Sequence, residues 1–350
     1  MAGQTATVPQ GAVAPGQAAQ AAARSGGARA TGRTYGALDL GTNNCRLLIA
    51  RPDGYGGFTV VDAFSRIVRL GEGLAARGRI SDEAIERAVE ALRVCADKLV
   101  RRGVTLSRAV ATEACRRADN GEAFVERVYR ETGIALDIID PGEEARLAVA
   151  GCHALLEPGD GPALIFDIGG GSTELVRVLP GANGVRMGHW RSVPWGVVTL
   201  AESEPHDVGD PQARLTAYEA MKGRVRDALD GFAGAVDIGE PAGLRLLGTS
   251  GTVTTLASVH LGLPSYDRRQ VDGSRVPLED MRGICRRLAA MSLDERAALP
   301  CIGRERAELV VAGCAVLDAI LELWPAPRVG IADRGIREGI LRALMASTIA

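Results

Sequence analysis

Apolar residues in this chain fall into short runs that stop at a carboxylate, and two of these runs share one design. Ala163-Leu164-Ile165-Phe166 leads to Asp167, crosses Gly169-Gly170-Gly171, and resumes through Ser172-Thr173-Glu174-Leu175 into Val176-Arg177-Val178. Gly36-Ala37-Leu38 leads to Asp39, crosses Gly41-Thr42-Asn43-Asn44, and resumes as Cys45-Arg46-Leu47-Leu48-Ile49-Ala50. An apolar run, a turn of small residues and a second apolar run predict a β-hairpin. Two such hairpins about 130 residues apart predict an internal duplication.

The stretch after each hairpin supports the duplication. Behind the first come β-like runs at Phe58–Phe64 and Ile67–Leu70, then a predicted helix from about Ser81 to Arg102. Its apolar positions Ile85, Ala88, Val89, Leu92, Cys95 and Leu99 recur at helical spacing, with Ser81 as N-cap and Gly103 as stop. Behind the second come a β-like run at Val185–Val193 and a predicted helix over Pro211–Asp230. The first half continues with predicted strands at Arg108–Ala111 and Ile134–Ile139, a helix around Glu122–Glu131, and a helix opening at Pro141 and running to about Leu156. The second continues with a strand, small-residue loop and helix start across Leu244–Leu256 and helices at Pro277–Met291 and Arg304–Leu323. A strand at Arg328–Ala332 and a closing helix at Ile336–Met345 complete it. The domain reading is a tail over 1–33, a first α/β domain over 34–158 and a second over 159–333. The segment 334–350 packs back on the first domain.

Composition removes several alternatives. At 350 residues the chain is long enough for two cores, and its net charge of −2 indicates neither a nucleic-acid surface nor an anionic membrane partner. No run of about 20 apolar residues is present, so no membrane span is predicted. Residues 1–33 are rich in Ala, Gly, Gln and Pro, lack the apolar core of a secretory signal, and read as disordered. Only Lys98 and Lys222 are lysine; neither stands beside a glycine cluster, which excludes a P-loop. Seven cysteines without a CxxC pair fit buried thiols in a reducing cytoplasm, and the four histidines lack metal-ligand spacing.

Chemistry then concentrates at the turns. Three glycines let several N–H groups point at one anion, and Asp167 and Glu174 are hard oxygen ligands suited to Mg²⁺. An ordinary glycine-rich turn is the other reading. Glu143 and Glu144 follow Pro141 at a helix start, either as capping acids on a solvated turn or as a base over bound phosphates. Gly248-Thr249-Ser250-Gly251-Thr252 is a third candidate anion or nucleoside loop, or a tight turn without special purpose.

With these motifs assembled, the chain resembles the exopolyphosphatase and guanosine pentaphosphate phosphohydrolase family, within the actin, hexokinase and heat-shock-chaperone superfamily. The resemblance rests on Asp39-Leu40-Gly41-Thr42-Asn43, Arg69-Leu70-Gly71-Glu72-Gly73-Leu74, Ala111-Thr112-Glu113-Ala114-Cys115-Arg116, Gly142-Glu143-Glu144-Ala145-Arg146-Leu147, Asp167 to Leu175, Gly248 to Thr252, and Gly335-Ile336-Arg337-Glu338-Gly339, in that order. It implies an α/β fold of two duplicated ribonuclease-H-like, actin-like ATPase domains around a central cleft.

The resemblance also implies roles. Glu144 matches the general base; Asp167 and Glu174, with Asp39 nearby, match acids that hold Mg²⁺ or Mn²⁺. The N–H groups of Thr42, Asn43 and Asn44 would face those of Gly169, Gly170 and Gly171, with Ser172 beside them. Arg69, Arg116 and Lys222 would neutralise phosphate charge. The implied activity is hydrolysis of the terminal phosphate of inorganic polyphosphate in the cytoplasm. Guanosine pentaphosphate or tetraphosphate is the alternative ligand, ATP-dependent phosphotransfer the second alternative, and a homodimer is left open. Asn44 stands where the family often has Ser, Ser250 where it often has Gly, and Glu308 where Asp is usual. The further C-terminal helical domain of larger members is not expected.

Overall fold

The computed structural model describes residues 32–181, 184–207, 209–236 and 243–348, so nearly all of the tail expected over 1–33 lies outside the described residues. Five strands, β1 (Tyr35–Leu40), β2 (Asn44–Pro52), β3 (Phe58–Ile67), β4 (Leu106–Ala111) and β5 (Leu136–Ile138), form one sheet in the order β3-β2-β1-β4-β5. Six more, β6 (Ala163–Ile168), β7 (Thr173–Gly181), β8 (Gly184–Val193), β9 (Arg245–Thr249), β10 (Arg275–Pro277) and β11 (Arg328–Ala332), form a second in the order β10-β11-β9-β6-β7-β8. Read from β8, the second sheet repeats the first strand for strand and adds β10 at its edge. In both, a three-stranded antiparallel meander is followed by two parallel strands. The duplication inferred from two hairpins is thus a duplication of whole sheets.

The longer helices are α1 (Asp82–Arg101), α2 (Gly121–Thr132), α3 (Pro141–Cys152), α4 (Pro211–Ala235), α5 (Gly251–His260), α6 (Leu278–Ala290), α7 (Val310–Leu323) and α8 (Ile336–Ala346). Ser81 caps α1 by accepting from Ala84 N–H at 3.2 Å, and Asp140 caps α3 by accepting from Gly142 and Glu143 N–H, with Pro141 in the first turn. Two expected elements differ. The helix expected over Arg304–Leu323 is split into a short turn at Arg304–Ala307 and α7. The run Ile67–Leu70 is not a second strand, because β3 continues only to Ile67 and the chain then turns under the first hairpin.

Strand alternation decides where the acids point. In β1, Leu38 and Leu40 pack in the core that contains α1, whereas Tyr35 and Ala37 pack with Leu147 and Ala148 of α3 and Ile340 and Leu341 of α8. In β6, Leu164, Phe166 and Ile168 face the core containing α4 and α7, whereas Ala163 and Ile165 pack with Ala145, Val149 and Cys152 of α3. Period two therefore places Asp39 and Asp167 on the two sheet faces that both pack against α3. Helices α3 and α8 cross at very short range, since a Cβ on Gly339 would lie 2.1 Å from the Leu147 carbonyl oxygen. Only glycine permits that crossing.

Candidate active site

Each hairpin tip is stripped of its carbonyl groups by the segment that succeeds the third strand of its own half. After β3, Val68 and Arg69 N–H donate to Asn43 O, and Gly71 N–H donates to Thr42 O. After β8, Val197 N–H donates to Gly169 O and Val198 N–H to Gly170 O. With the carbonyls turned away and held, the N–H groups of Thr42, Asn43, Gly170 and Gly171 have no hydrogen-bond acceptor among the described residues. Such a pair of bare tips has the arrangement of N–H groups that suits an anion. The N–H of Gly169, expected among the donors, is not one of them, because it closes the turn onto Ser172 O at 2.9 Å.

The two tips meet. A Cβ on Gly170 would lie 2.9 Å from Thr42 Cβ and 3.1 Å from Asn43 N, and one on Gly171 would lie 2.6 Å from Thr42 Oγ1. Neither glycine has a positive φ. Contact between the halves, rather than backbone freedom, is what demands glycine here. The tips border a cleft of about 480 Å³ that is also lined by Asp39, Glu113, Glu144, Asp167 and the Thr249–Thr252 loop.

Adjacent glutamates at the start of α3 have opposite surroundings. Glu143 accepts from Arg146 Nε at 2.6 Å and from Arg108 Nη1 at 2.7 Å, and these guanidinium groups hold its carboxyl down to about 2. It is a neutralised outer residue. Glu144 is buried in the cleft wall and accepts from Arg116 Nη1 at 3.0 Å. Burial and repulsion from Glu174 and Asp167 push its carboxyl well above the ordinary glutamate range, against the opposing pull of Arg116. Of the two, Glu144 has the proton affinity of a base.

Asp39 and Asp167 are both raised, chiefly by burial; Asp167 goes to about 6, with Asp39 repelling and Arg46 attracting. Glu174, opposite Asp167 in the β6–β7 ladder, goes to about 7 through burial and repulsion from Asp167. It does not line the cleft as a direct ligand would, because its Oε1 accepts from Ser172 at 2.7 Å and Ser192 at 2.8 Å. Ser172 lines the cleft with its hydroxyl thereby engaged, and Asn44 lines it at the start of β2.

Three expected cationic contacts are elsewhere. Arg116 lies behind the wall, donating to Glu144, to Glu113 Oε2 at 2.7 Å and to Ile139 O at 2.6 Å. Arg69 is paired with Glu308 of the second half at 3.0 Å. Lys222 does not reach the cleft. Its ammonium is held on α4 by Glu219 at 2.6 Å and Glu322 at 3.3 Å, with buried Asp318 of α7 at 3.7 Å, and that acidic nest fixes it away from any substrate. Glu113, Arg46 and Arg337 line the cleft although sequence reasoning assigned them no role. Glu113 and Arg337 sit inside motifs that were recognised; Arg46 could have been found from its register opposite Asp39.

Comparison with known proteins agrees with this geometry. The model of the Ppx/GppA phosphatase family matches residues 48–348. A Mycobacterium tuberculosis protein named exopolyphosphatase 2 is 33% identical over 292 residues, covering 81% of this chain and 88% of its own. Among solved structures, the Aquifex aeolicus Ppx/GppA family member is 28% identical with a TM-score of 0.74, covering 91% of this chain and 99% of its own. An exopolyphosphatase from Cytophaga hutchinsonii is 26% identical with a TM-score of 0.78, covering 90% of this chain and 98% of its own. The two repeated sheets are the actin-like ATPase-type arrangement of these neighbours. The chain belongs to the Ppx/GppA phosphatase family.

Proposed function

We propose that this phosphatase is a metal-dependent exopolyphosphatase that transfers the terminal phosphoryl group of a linear polyphosphate to water. The observation that carries the reading is the placement of Glu144, buried, proton-seeking and aimed by Arg116, in the same cleft as the two bare tips. The tips would hold the oxygens of the terminal phosphoryl group through N–H donors whose orientation is already fixed, so no reorganisation is needed as charge develops. Glu144 Oε would align and deprotonate the attacking water, with Arg116 restraining its pKa so that the ionised form is available. Breaking the anhydride bond then leaves orthophosphate and a chain one unit shorter.

The donor set fits a hard divalent cation. No group of three or more metal-ligating side chains occurs among the described residues. Mg²⁺ at phosphoryl-transfer sites commonly takes one or two carboxylates and completes its shell with water and phosphate oxygens. Asp39 and Asp167 suit that pattern: partly buried acids lining the cleft, with no hydrogen bond to either side chain among the described residues. Mg²⁺ or Mn²⁺ held there would supply Lewis-acid polarisation of phosphoryl oxygens. Glu174, engaged by two serines, would orient and repel from behind.

Orthophosphate release from tripolyphosphate and from long chains, with and without Mg²⁺, tests the proposal. The Glu144→Gln variant should bind the chain yet release phosphate about 10²–10⁴-fold more slowly. Near-normal turnover in that variant would place the base elsewhere. The M. tuberculosis relative's name favours polyphosphate. Faster release from guanosine pentaphosphate under the same conditions would reverse the substrate assignment while keeping the hydrolytic residues.

A further inference from the structure

His206 is buried in the second half, on the loop that leaves the short helix Val197–Ser203, and both of its ring nitrogens face carbonyl oxygens. Nδ1 is 2.9 Å from Glu204 O, and Nε2 is 3.2 Å from Glu308 O. A carbonyl oxygen only accepts, and a neutral imidazole carries a single N–H, so one of the two contacts would set lone pair against lone pair. The imidazolium has an N–H at each nitrogen and satisfies both. Its charge is answered by Asp207, whose Oδ2 lies 3.6 Å from Nε2.

The other charged groups around the ring have partners of their own. Glu204 accepts from Arg224 Nε of α4 at 3.1 Å, and the Glu308 carboxylate accepts from Arg69 at 3.0 Å. Arg296, fully buried on the short helix Leu293–Ala297, donates to Asp207, to Ala307 O at 3.0 Å and to Met291 O at 2.6 Å. Arg296 and His206 thus fasten the segment 204–207 to the segment 307–308. Arginine keeps its charge across the neutral range, whereas histidine is the side chain that changes charge between about pH 5 and 8. Each fastened segment also leads to a contact with the first half. Glu202, in the last turn of the Val197–Ser203 helix, accepts from Gly73 N–H at 2.8 Å, and Glu308 pairs with Arg69.

We propose that His206 is a pH-sensitive clasp that sets how firmly the second half grips residues 69–73 of the first. With both nitrogens protonated, the ring holds the carriers of Glu202 and Glu308 in one arrangement. As pH rises and the proton leaves, one carbonyl loses its donor, the two segments part, and the contacts to Gly73 and Arg69 weaken. The halves are therefore joined more loosely on the alkaline side than on the acid side. This inference concerns how the halves are held and does not rest on the hydrolase reading.

The test is NMR spectroscopy of the full chain between about pH 5.5 and 8.5. The ¹⁵N shifts of the His206 ring, identified as the signals absent from His206→Gln, report how many ring nitrogens carry a proton. Two protonated nitrogens are expected at the acid end and one at the alkaline end. The Gly73 amide proton should move upfield over the same interval, as its bond to Glu202 weakens. In His206→Gln the Gly73 amide should stay in place across the whole range. Asp167 at about 6 and Glu174 at about 7 titrate in this interval too, and the variant separates their influence from that of His206. A ring with one protonated nitrogen throughout overturns the clasp. So does a Gly73 amide that is still while the ring titrates, or one that titrates equally in the variant. Should His206→Gln fail to fold, His206→Asn takes its place, and the two wild-type titration curves still decide whether ring and amide move together. No turnover is measured, so failure of the hydrolase reading would leave this outcome unaffected.

Discussion

Asp167 is an ionisable group that its surroundings do not support. It is desolvated in the cleft wall though only partly buried, repelled by Asp39 and relieved mainly by Arg46, which leaves its pKa at about 6 rather than 3.8, while Glu174 across the ladder reaches about 7. A carboxyl raised in the folded state binds its proton more tightly there than in the unfolded chain. Its contribution to stability is therefore complete below the unfolded value and lost as pH rises through the folded one. For Asp167 the window runs from about pH 4 to about pH 6, and the loss is on the order of 3 kcal/mol. Asp167→Asn should consequently raise the melting temperature of Mg²⁺-free protein at pH 8 by about 4–5 °C and leave it unchanged at pH 4. Mg²⁺ should raise the melting temperature of the wild type at pH 8 and not that of the variant. A lower melting temperature in the variant at pH 8, or a retained Mg²⁺ shift, would contradict this account. The same logic separates Glu143 from Glu144. Sequence alone leaves the pair open because capping position is shared, and only the tertiary placement of Arg108, Arg116 and Arg146 decides which acid is silenced.

At the scale of elements, the hairpin tip and the segment behind it act as one unit. Thr42 and Asn43 present N–H groups only because residues 68–71 hold their carbonyls, as residues 197–198 hold those of Gly169 and Gly170. Gly170→Ala tests the contact between units directly. A methyl group 2.9 Å from Thr42 Cβ must push the tips apart, and a displacement near 1 Å in a phosphoryl-transfer site costs about 10²-fold in kcat/KM. Each half should still fold, so the melting temperature should change little; a variant with full activity would mean that the tips need not meet. Both hairpins were legible in the sequence because sheets covered on two faces read as apolar runs, and a carboxylate followed by small residues marks the turn. The strap at 68–71 was not legible. Val68 and Leu70 are buried like strand residues, but the backbone bonds of this stretch are made to a hairpin tip about 25 residues earlier, which no local pattern encodes. Lys222 misled for a related reason: a basic residue on a long helix says nothing about whether acids on α7 already hold it.

For the molecule as a whole, the question is what joins the halves across the cleft. Arg69 Nη2 reaches Glu308 at 3.0 Å, and Gly73 N–H donates to Glu202 Oε1 at 2.8 Å, linking the strap of the first half to the second. Both members of the Arg69–Glu308 pair are about two-fifths exposed, at 39% and 44%. Exposed pairs of this kind contribute about 0–1 kcal/mol, too little to lock two domains and little enough for a polyanion to displace. On the phosphate role that the family resemblance implies for Arg69, Glu308 would compete with substrate for its guanidinium, and that contact would have to open. Glu308→Gln should lower KM for polyphosphate at low ionic strength, by severalfold if the full pair energy is released. The advantage should fade as salt rises toward 1 M, where charges are screened within about 3 Å. Arg69→Gln should raise KM under the same conditions, and the double variant should resemble the Arg69 variant, because Glu308 acts only through Arg69. Steady-state phosphate release at several salt concentrations measures all three. A higher KM for Glu308→Gln at low salt would mean that the pair closes the cleft productively around the chain instead of competing with it.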